Sequence, residues 1–174
     1  NPSSRLSSVL LPISPAAGQA QENGIGETVE IEGDEPSAVP GLNFSGCTRV
    51  DVAAVNAAYE QQVVELVNQE RWNNGQLPPY KRNAQLDLAA RYHAKDMADD
   101  DYFAHDSYDG SSLVCSWSTR VSNWYSGWSA LSENIAWGYG TPAAVMSGWM
   151  DSPPHRGSIL STNYREFGVG YYTG

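Results

Sequence analysis

Basic residues are scarce in this sequence, and their scarcity narrows the choice of partner. Lysine and arginine together number 10 among 174 residues, against 20 aspartates and glutamates, so the formal net charge is −10. A nucleic-acid groove or an anionic membrane surface is bound through clustered positive charge, which this composition does not favour. We therefore expect neither nucleic acid nor an anionic membrane surface as a partner.

Long apolar runs and the common catalytic signatures are also missing. No stretch of about 18 consecutive apolar residues occurs, so no transmembrane segment is predicted in this chain. The sequence contains no His-Glu-x-x-His zinc helix, no Gly-x-Ser-x-Gly nucleophile elbow and no Walker-type phosphate loop. The most familiar protease, esterase and nucleotide-binding classes are therefore not indicated.

The residues that are present divide the chain into two parts. The first 46 residues hold one arginine and six acidic residues, are rich in Ser, Pro and Gly, and show no helical period. This composition predicts an irregular acidic arm or linker over residues 1–48. Residues 49–174 carry regular hydrophobic periodicity and are predicted to form one globular domain.

Helix and strand signals in the second part predict a mixed α/β domain. Apolar residues recur at helical spacing from Val52 to about Trp72, and the run stops at Asn73-Asn74-Gly75. Further helices are predicted after an Asn83 cap and after Thr141-Pro142, where a capping side chain precedes a proline of the first turn. The closing segment “REFGVGYYTG” alternates apolar residues with glycine, which predicts a strand whose bare face lets another layer approach closely.

The chemistry of the chain depends on very few residues, because it holds three histidines. His93 falls on the apolar stripe of the second predicted helix, so we interpret it as a core residue. His155 follows Ser152-Pro-Pro, which reads as an N-cap and the first turn of a helix, and the helix dipole there favours a neutral ring. With His105 and Glu133 it forms a set that can hold zinc or share a proton. Each of these residues also has a purely structural explanation, such as a cap or a loop tie.

Six motifs follow one another between residues 63 and 172: “VVELVNQER”, “LDLAARYHAKDMA”, “YFAH”, “GWSALSENIAWG”, “VMSGWMDSPPHRGSIL” and “REFGVGYY”. In this order they resemble a prokaryotic member of the CAP superfamily (SCP-like proteins), the group of cysteine-rich secretory proteins, insect antigen 5 and plant pathogenesis-related proteins. The resemblance implies a three-layer α-β-α sandwich and an extracellular or cell-envelope location. It also implies a cleft lined by two histidines and two glutamates that binds zinc in some relatives.

The resemblance assigns positions in that cleft, and one of them departs from the family pattern. His105 matches the first histidine, Glu133 the glutamate of the Glu-Asn-Ile motif, and His155 the second histidine. At the position of the other family glutamate this chain has Ser152, with Asp151 beside it. Zinc or another divalent metal on His105, His155 and Glu133 is therefore expected to bind weakly. Relatives also add a strand after the glycine-rich one, so either the sequence stops short of it or the sheet has an open edge.

Cys47 and Cys115 are the only two cysteines. Because the resemblance implies an extracellular location, we expect a disulfide between them, and two buried free thiols are the alternative. Three functions stay open, of which the first is favoured and is not enzymatic. The domain can be a secreted or envelope module whose cleft binds a small molecule, lipid, glycan, peptide or other cell-wall ligand. It can be a metal-assisted hydrolase or peptidase with Glu133 as base. It can also be a structural or adhesive module.

Overall fold

Helices and strands alternate along most of the chain. A computed structural model describes residues 4–11 and 47–173, of which 4–11 are described by their backbone. The elements in chain order are β1 (Ser4–Leu11), α1 (Ala57–Asn73), β2 (Lys81–Arg82), α2 (Ala84–Asp99), β3 (Ser107–Asp109), β4 (Ser112–Cys115), α3 (Trp117–Ser122), β5 (Ser132–Trp137), α4 (Pro142–Asp151), α5 (Pro153–Leu160) and β6 (Glu166–Thr173).

The main sheet has four described strands in the order β2-β6-β1-β5. Strand β1 is antiparallel to both β5 and β6, whereas β2 is parallel to β6. Strands β3 and β4 form a separate antiparallel pair. On the side of β6 away from β1, β2 pairs only with Glu166 and Phe167, and farther along the N–H groups of Val169 and Tyr171 donate to the carboxylates of Asp87 and Glu60. The expected open edge of the glycine-rich strand is therefore covered partly by a short strand and partly by side chains.

Strand β1 comes from the arm that the composition predicted to be irregular. Residues 4–11 pair along their length with β6 and also with β5, so the arm is not irregular throughout. The difference arises because pairing with distant strands, rather than local composition, decides whether such a segment is extended. The other arm residues up to 46 lie outside the described part, and the domain boundary at residue 48 stays a prediction.

Helices cover both faces of the sheet, which confirms the predicted three-layer α-β-α sandwich. On one face α1, α4 and α5 pack on β5 and β6 around the main core, which includes Val63, Trp149, Ile159 and Phe167. On the other face α2 lies along β6 and β1, with α3 packed beside it through Leu86 and Val121. Of the predicted site residues, Glu133 lies on β5, His105 precedes β3 and His155 lies on α5.

Capping side chains set the helix starts. Asn56 accepts the N–H of Tyr59, so α1 begins at Ala57 rather than at Val52, and the predicted start was wrong by five residues. Asn83 and Thr141 cap α2 and α4 by accepting backbone N–H groups, as predicted. The apolar spacing alone extended α1 too far, because buried residues outside a helix can continue its period by chance.

The alternation in β6 sorts its residues between the two layers. Phe167 and Val169 belong to the core beneath α1 and α4. Gly168 and Gly170 face α2, where an added Cβ would lie 2.2 Å from the carbonyl carbon of Leu86 and 2.0 Å from the nitrogen of Arg91, respectively. The prediction that the bare face of this strand admits another layer is confirmed, because only glycine allows the α2 backbone to lie so close.

The disulfide prediction is also confirmed. Cys47 and Cys115 are bonded, with their Cα atoms 5.3 Å apart and a sequence separation of 68. The bridge ties the beginning of the globular part to the end of β4. In the part of the chain that the structure describes, no helix has the length and apolar character needed to cross a bilayer.

Candidate functional site

Strand β5 carries a buried carboxylate at the centre of the site. The Glu133 side chain is 1% exposed. Its Oε2 accepts a hydrogen bond of 2.6 Å from Nη2 of Arg120 on α3, and its Oε1 lies 3.0 Å from Nδ1 of His105, which precedes β3. A carboxylate removed from water is stable only when charged or hydrogen-bonding partners replace its hydration, and both oxygens have such partners here.

The surroundings of Glu133 keep it ionised. Burial alone would raise the pKa of Glu133, but the nearby Arg120, His93 and His105 more than offset it and lower that pKa to about 2. Because an ionised carboxylate only accepts hydrogen bonds, Nδ1 of His105 carries the proton that joins the two groups. This leaves Nε2 of the His105 ring to bind a proton, a metal or a ligand, and the His105 side chain is 48% exposed to receive one.

Arg120 organises this corner of the site, although sequence reasoning did not find it. Its guanidinium is fully buried and donates to Glu133, to the carbonyl oxygen of His105 at 2.8 Å and to Oγ of Ser107 at 3.1 Å. It therefore holds the carboxylate together with the backbone of the histidine that the carboxylate orients. One signal was available, because Arg120 is the only lysine or arginine between residues 96 and 155.

His93 lies in the core directly beneath this cluster. It is completely buried, and its Nε2 donates to the carbonyl oxygen of Ala104 at 3.0 Å. Burial and the positive charge of Arg120 lower the pKa of His93 to about 3, so the ring is neutral. The interpretation of His93 as a core residue is confirmed. The same ring packs beneath Glu133, with Nε2 of His93 at 3.8 Å from Oε1 of Glu133.

His155 stands in the first turn of α5, where the two prolines place it. Ser152 occupies the N-cap position but makes no side-chain cap; its Oγ lies 2.9 Å from Nδ1 of His155 instead. Burial, followed by the nearby His105, lowers the pKa of His155, so its ring is neutral as expected. His105 and His155, the cleft histidines, are therefore close enough to affect one another.

Two hollows lie along β5, one beside each cleft histidine. The aromatic cleft has a volume of about 370 Å³; its walls include Phe103, Trp137 and Tyr139, and Ser152 and His155 form its polar end. The polar pocket has a volume of about 220 Å³ and is lined by His105, Trp117, Leu131, Ser132 and Glu133. Asp151, named with the cleft from the sequence, is an exposed residue at the end of α4 and lines neither hollow.

The described residues do not fit the usual zinc site with three protein ligands. Among them, no group of three or more His, Cys, Asp or Glu is placed to hold a metal ion. Both oxygens of Glu133 are engaged by Arg120 and His105, so this carboxylate is placed to orient a histidine rather than to ligate. Since Glu133 and Ser152 engage the Nδ1 atoms, the Nε2 atoms of the two cleft histidines are the donors that remain for a metal.

Comparisons with known proteins identify the family of the chain. The family model described as “CAP: Cysteine-rich secretory protein family” matches residues 64–174. The chain belongs to this family. The CAP domain is 40% identical over 116 residues to the uncharacterized protein YkwD of Bacillus subtilis (strain 168), a match that covers 66% of this chain and 43% of that protein. It is 30% identical over 123 residues to the uncharacterized membrane protein YlbC of the same organism, covering 68% of this chain and 34% of that one.

A solved structure supports the same assignment. The crystal structure of an extracellular protein containing a SCP domain from Bacillus anthracis str. Ames matches this CAP domain with a TM-score of 0.59 and 31% identity. The match covers 66% of this chain and 38% of that chain. The chain thus spans less than half the length of each of these three relatives.

Proposed function

We propose that this CAP domain is an extracellular module that binds a small ligand in the aromatic cleft, with His155 at the polar end of the site. The observation that carries the proposal is the cleft itself. A concave site of about 370 Å³ with aromatic walls and a few converging polar groups has the size and lining of small-molecule sites, which span about 300–1,000 Å³. The fixed ring of His155 supplies the orienting polar group.

The state of Glu133 favours binding over hydrolysis. A metal-assisted hydrolase with Glu133 as general base requires this carboxylate to take a proton near neutral pH. A group with a pKa of about 2, whose two oxygens already accept from Arg120 and His105, is a weak base and poorly placed to do so. Its geometry serves instead to fix the tautomer and direction of the His105 ring.

Two observations support the extracellular location. The Cys47–Cys115 bridge is of the kind that persists in oxidising compartments. The Bacillus anthracis relative is described as an extracellular protein. We include zinc in the proposal only as a weakly bound ion that the two cleft histidines would hold, because imidazole nitrogens suit zinc while Glu133 would orient His105 rather than ligate the metal.

The test is a titration that follows binding and turnover in the same sample. Neutral oligosaccharides, 1-monolauroylglycerol and an end-blocked alanine tripeptide are added in turn while the indole N–H resonance of Trp137, assigned with Trp137→Phe, is recorded. Mass spectrometry of each sample detects cleavage products. A saturable shift without products supports the binding module. Products that disappear in His105→Ala would establish a hydrolase, and no shift with any compound would leave a structural or adhesive module.

A further inference from the structure

The aromatic cleft is lined by uncharged groups. Among the described residues around it, none is an aspartate, glutamate, lysine or arginine, and the histidine ring, that of His155, is kept neutral by burial and by His105. A ligand charge held against these residues would gain no ionic partner in return for the part of its hydration that the cleft displaces, which is unfavourable. The lining therefore selects for a neutral ligand.

The walls of the cleft are aromatic and remain open to water. Trp137 is 50% exposed and Phe103 47%, and their ring centroids lie 6.3 Å apart with the planes at 41°. A lipid chain gains most from complete burial, which walls that remain half in water do not give it. A sugar ring needs less cover, because one face presents C–H groups to an aromatic ring while the hydroxyl groups at its edge stay hydrated.

The floor and the polar end of the cleft suit hydroxyl groups in a fixed position. The floor is held by a hydrogen bond of 3.2 Å from Nε1 of buried Trp149 to the carbonyl oxygen of Ile135. At one end, Nδ1 of His155 is engaged by Ser152, which leaves Nε2 of the same ring for the ligand. A neutral imidazole nitrogen and a serine hydroxyl both pair with sugar hydroxyls, and a site that is already rigid loses little entropy on binding.

From these three features we infer that the ligand of the aromatic cleft is an uncharged saccharide, with a sugar ring stacked on Trp137 and its hydroxyl groups directed to His155 and Ser152. The inference rests on the proposed binding function and adds the chemical class of the ligand. Phe103 completes the stacking surface at an angle to Trp137, so the site receives a ring and its neighbour along a short glycan rather than a flat aromatic compound.

The experiment compares one sugar with and without charge on the full chain. The probes are the neutral tetramer of N-acetylglucosamine and the cationic tetramer of glucosamine, which differ by the acetyl groups, with 1-monolauroylglycerol as the lipid probe. Binding is measured by calorimetry for the parent chain, Trp137→Ala and Trp137→Phe. The matched control is Trp72→Ala, because Trp72 is also exposed, at 61%, but lies on α1 outside the cleft.

We expect saturable binding of the neutral tetramer, weakened at least about tenfold in Trp137→Ala, less in Trp137→Phe and not at all in Trp72→Ala. Equal binding of the cationic tetramer, or equal losses in the two alanine variants, would overturn the inference. If monolauroylglycerol or the blocked peptide shifts the Trp137 resonance and no saccharide does, the saccharide inference fails while the proposed function stands. If no compound of any class shifts the Trp137 resonance, both the proposed function and the saccharide inference fail.

Discussion

Replacing Glu133 by glutamine tests the part of the site on which the other assignments depend. The change keeps the shape of the side chain and removes its charge, so the buried guanidinium of Arg120 loses the group that neutralises it. The Arg120 side chain is completely buried and does not reach water, and its Nε has no hydrogen-bond partner among the described residues. Breaking a buried ion pair from one side costs about 3–5 kcal/mol of the free energy of unfolding, a large share of the roughly 5–15 kcal/mol of a typical domain.

Urea unfolding at pH 7, followed by tryptophan fluorescence and circular dichroism, measures this loss. Glu65→Gln is the matched control, since Glu65 is exposed on α1 and its replacement should change the free energy of unfolding by less than about 0.5 kcal/mol. The double variant Glu133→Gln/Arg120→Met should be more stable than Glu133→Gln alone, because it leaves no uncompensated charge. A loss below about 1 kcal/mol in the single variant, or no recovery in the double variant, would refute the reasoning.

The same variant should change the response to acid. Because the pKa of Glu133 falls from its ordinary 4.5 to about 2 on folding, its contribution to stability is present above pH 4.5 and lost as the pH falls from there towards 2. Glu133→Gln should flatten the stability curve in that window. The pKa of His93 falls from 6.5 to about 3, so its own loss begins near pH 6.5 and should persist in the variant between pH 6.5 and 4.5.

Three further predictions concern the sheet, the bridge and the cleft histidines. Gly170→Ala should prevent stable folding, because its Cβ would lie 2.0 Å from a backbone nitrogen of α2. Gly157→Ala, whose Cβ would have nothing within 4 Å, should instead stabilise α5 by up to about 1 kcal/mol. Thermal melts of both variants test this. Alkylation of the denatured chain without reductant should add no mass, since Cys47 and Cys115 are bonded, and two added groups would exclude the bridge. Calorimetry with zinc should show weak binding at pH 7.5 that declines as the pH is lowered, because protons compete for the ring nitrogens. If alanine variants of the cleft histidines bind zinc as tightly as the parent, the two histidines do not share a metal site.

Local sequence signals predicted the helix starts well where the cap residue was identified in the sequence. Asn83 and Thr141 accept backbone N–H groups at the starts of α2 and α4, which lie where the cap residues indicated. The glycines of β6 also predicted a close approach, because absence of a side chain has a direct geometric consequence. The start of α1 was missed because apolar spacing continues upstream of the residue that caps the helix, Asn56.

The amino-acid composition of a segment does not predict which distant strands it pairs with. Residues 4–11 stand in a segment rich in serine and proline, and nothing in their own sequence names β5 and β6 as partners. Only the assembled sheet shows that these two strands are not hydrogen-bonded to each other and that β1 pairs with both. The ladder on each side satisfies backbone groups of β5 and β6 as well as those of β1, which explains why an arm segment becomes strand.

The candidate site illustrates the same limit for side chains. Three motif residues, His105, Glu133 and His155, could be named from the sequence, because their identities alone carry chemistry. Their roles depend on Arg120, whose burial is decided by the packing of α3 against α2 and by the chain that leads into β3. Because Arg120 and His105 engage both oxygens of Glu133 and its pKa is about 2, this carboxylate is a weak base with no oxygen left free of these partners, and it orients His105 instead. Arg120, which only the fold identifies, therefore changes the interpretation of Glu133 from a candidate metal ligand or base to a residue that orients His105.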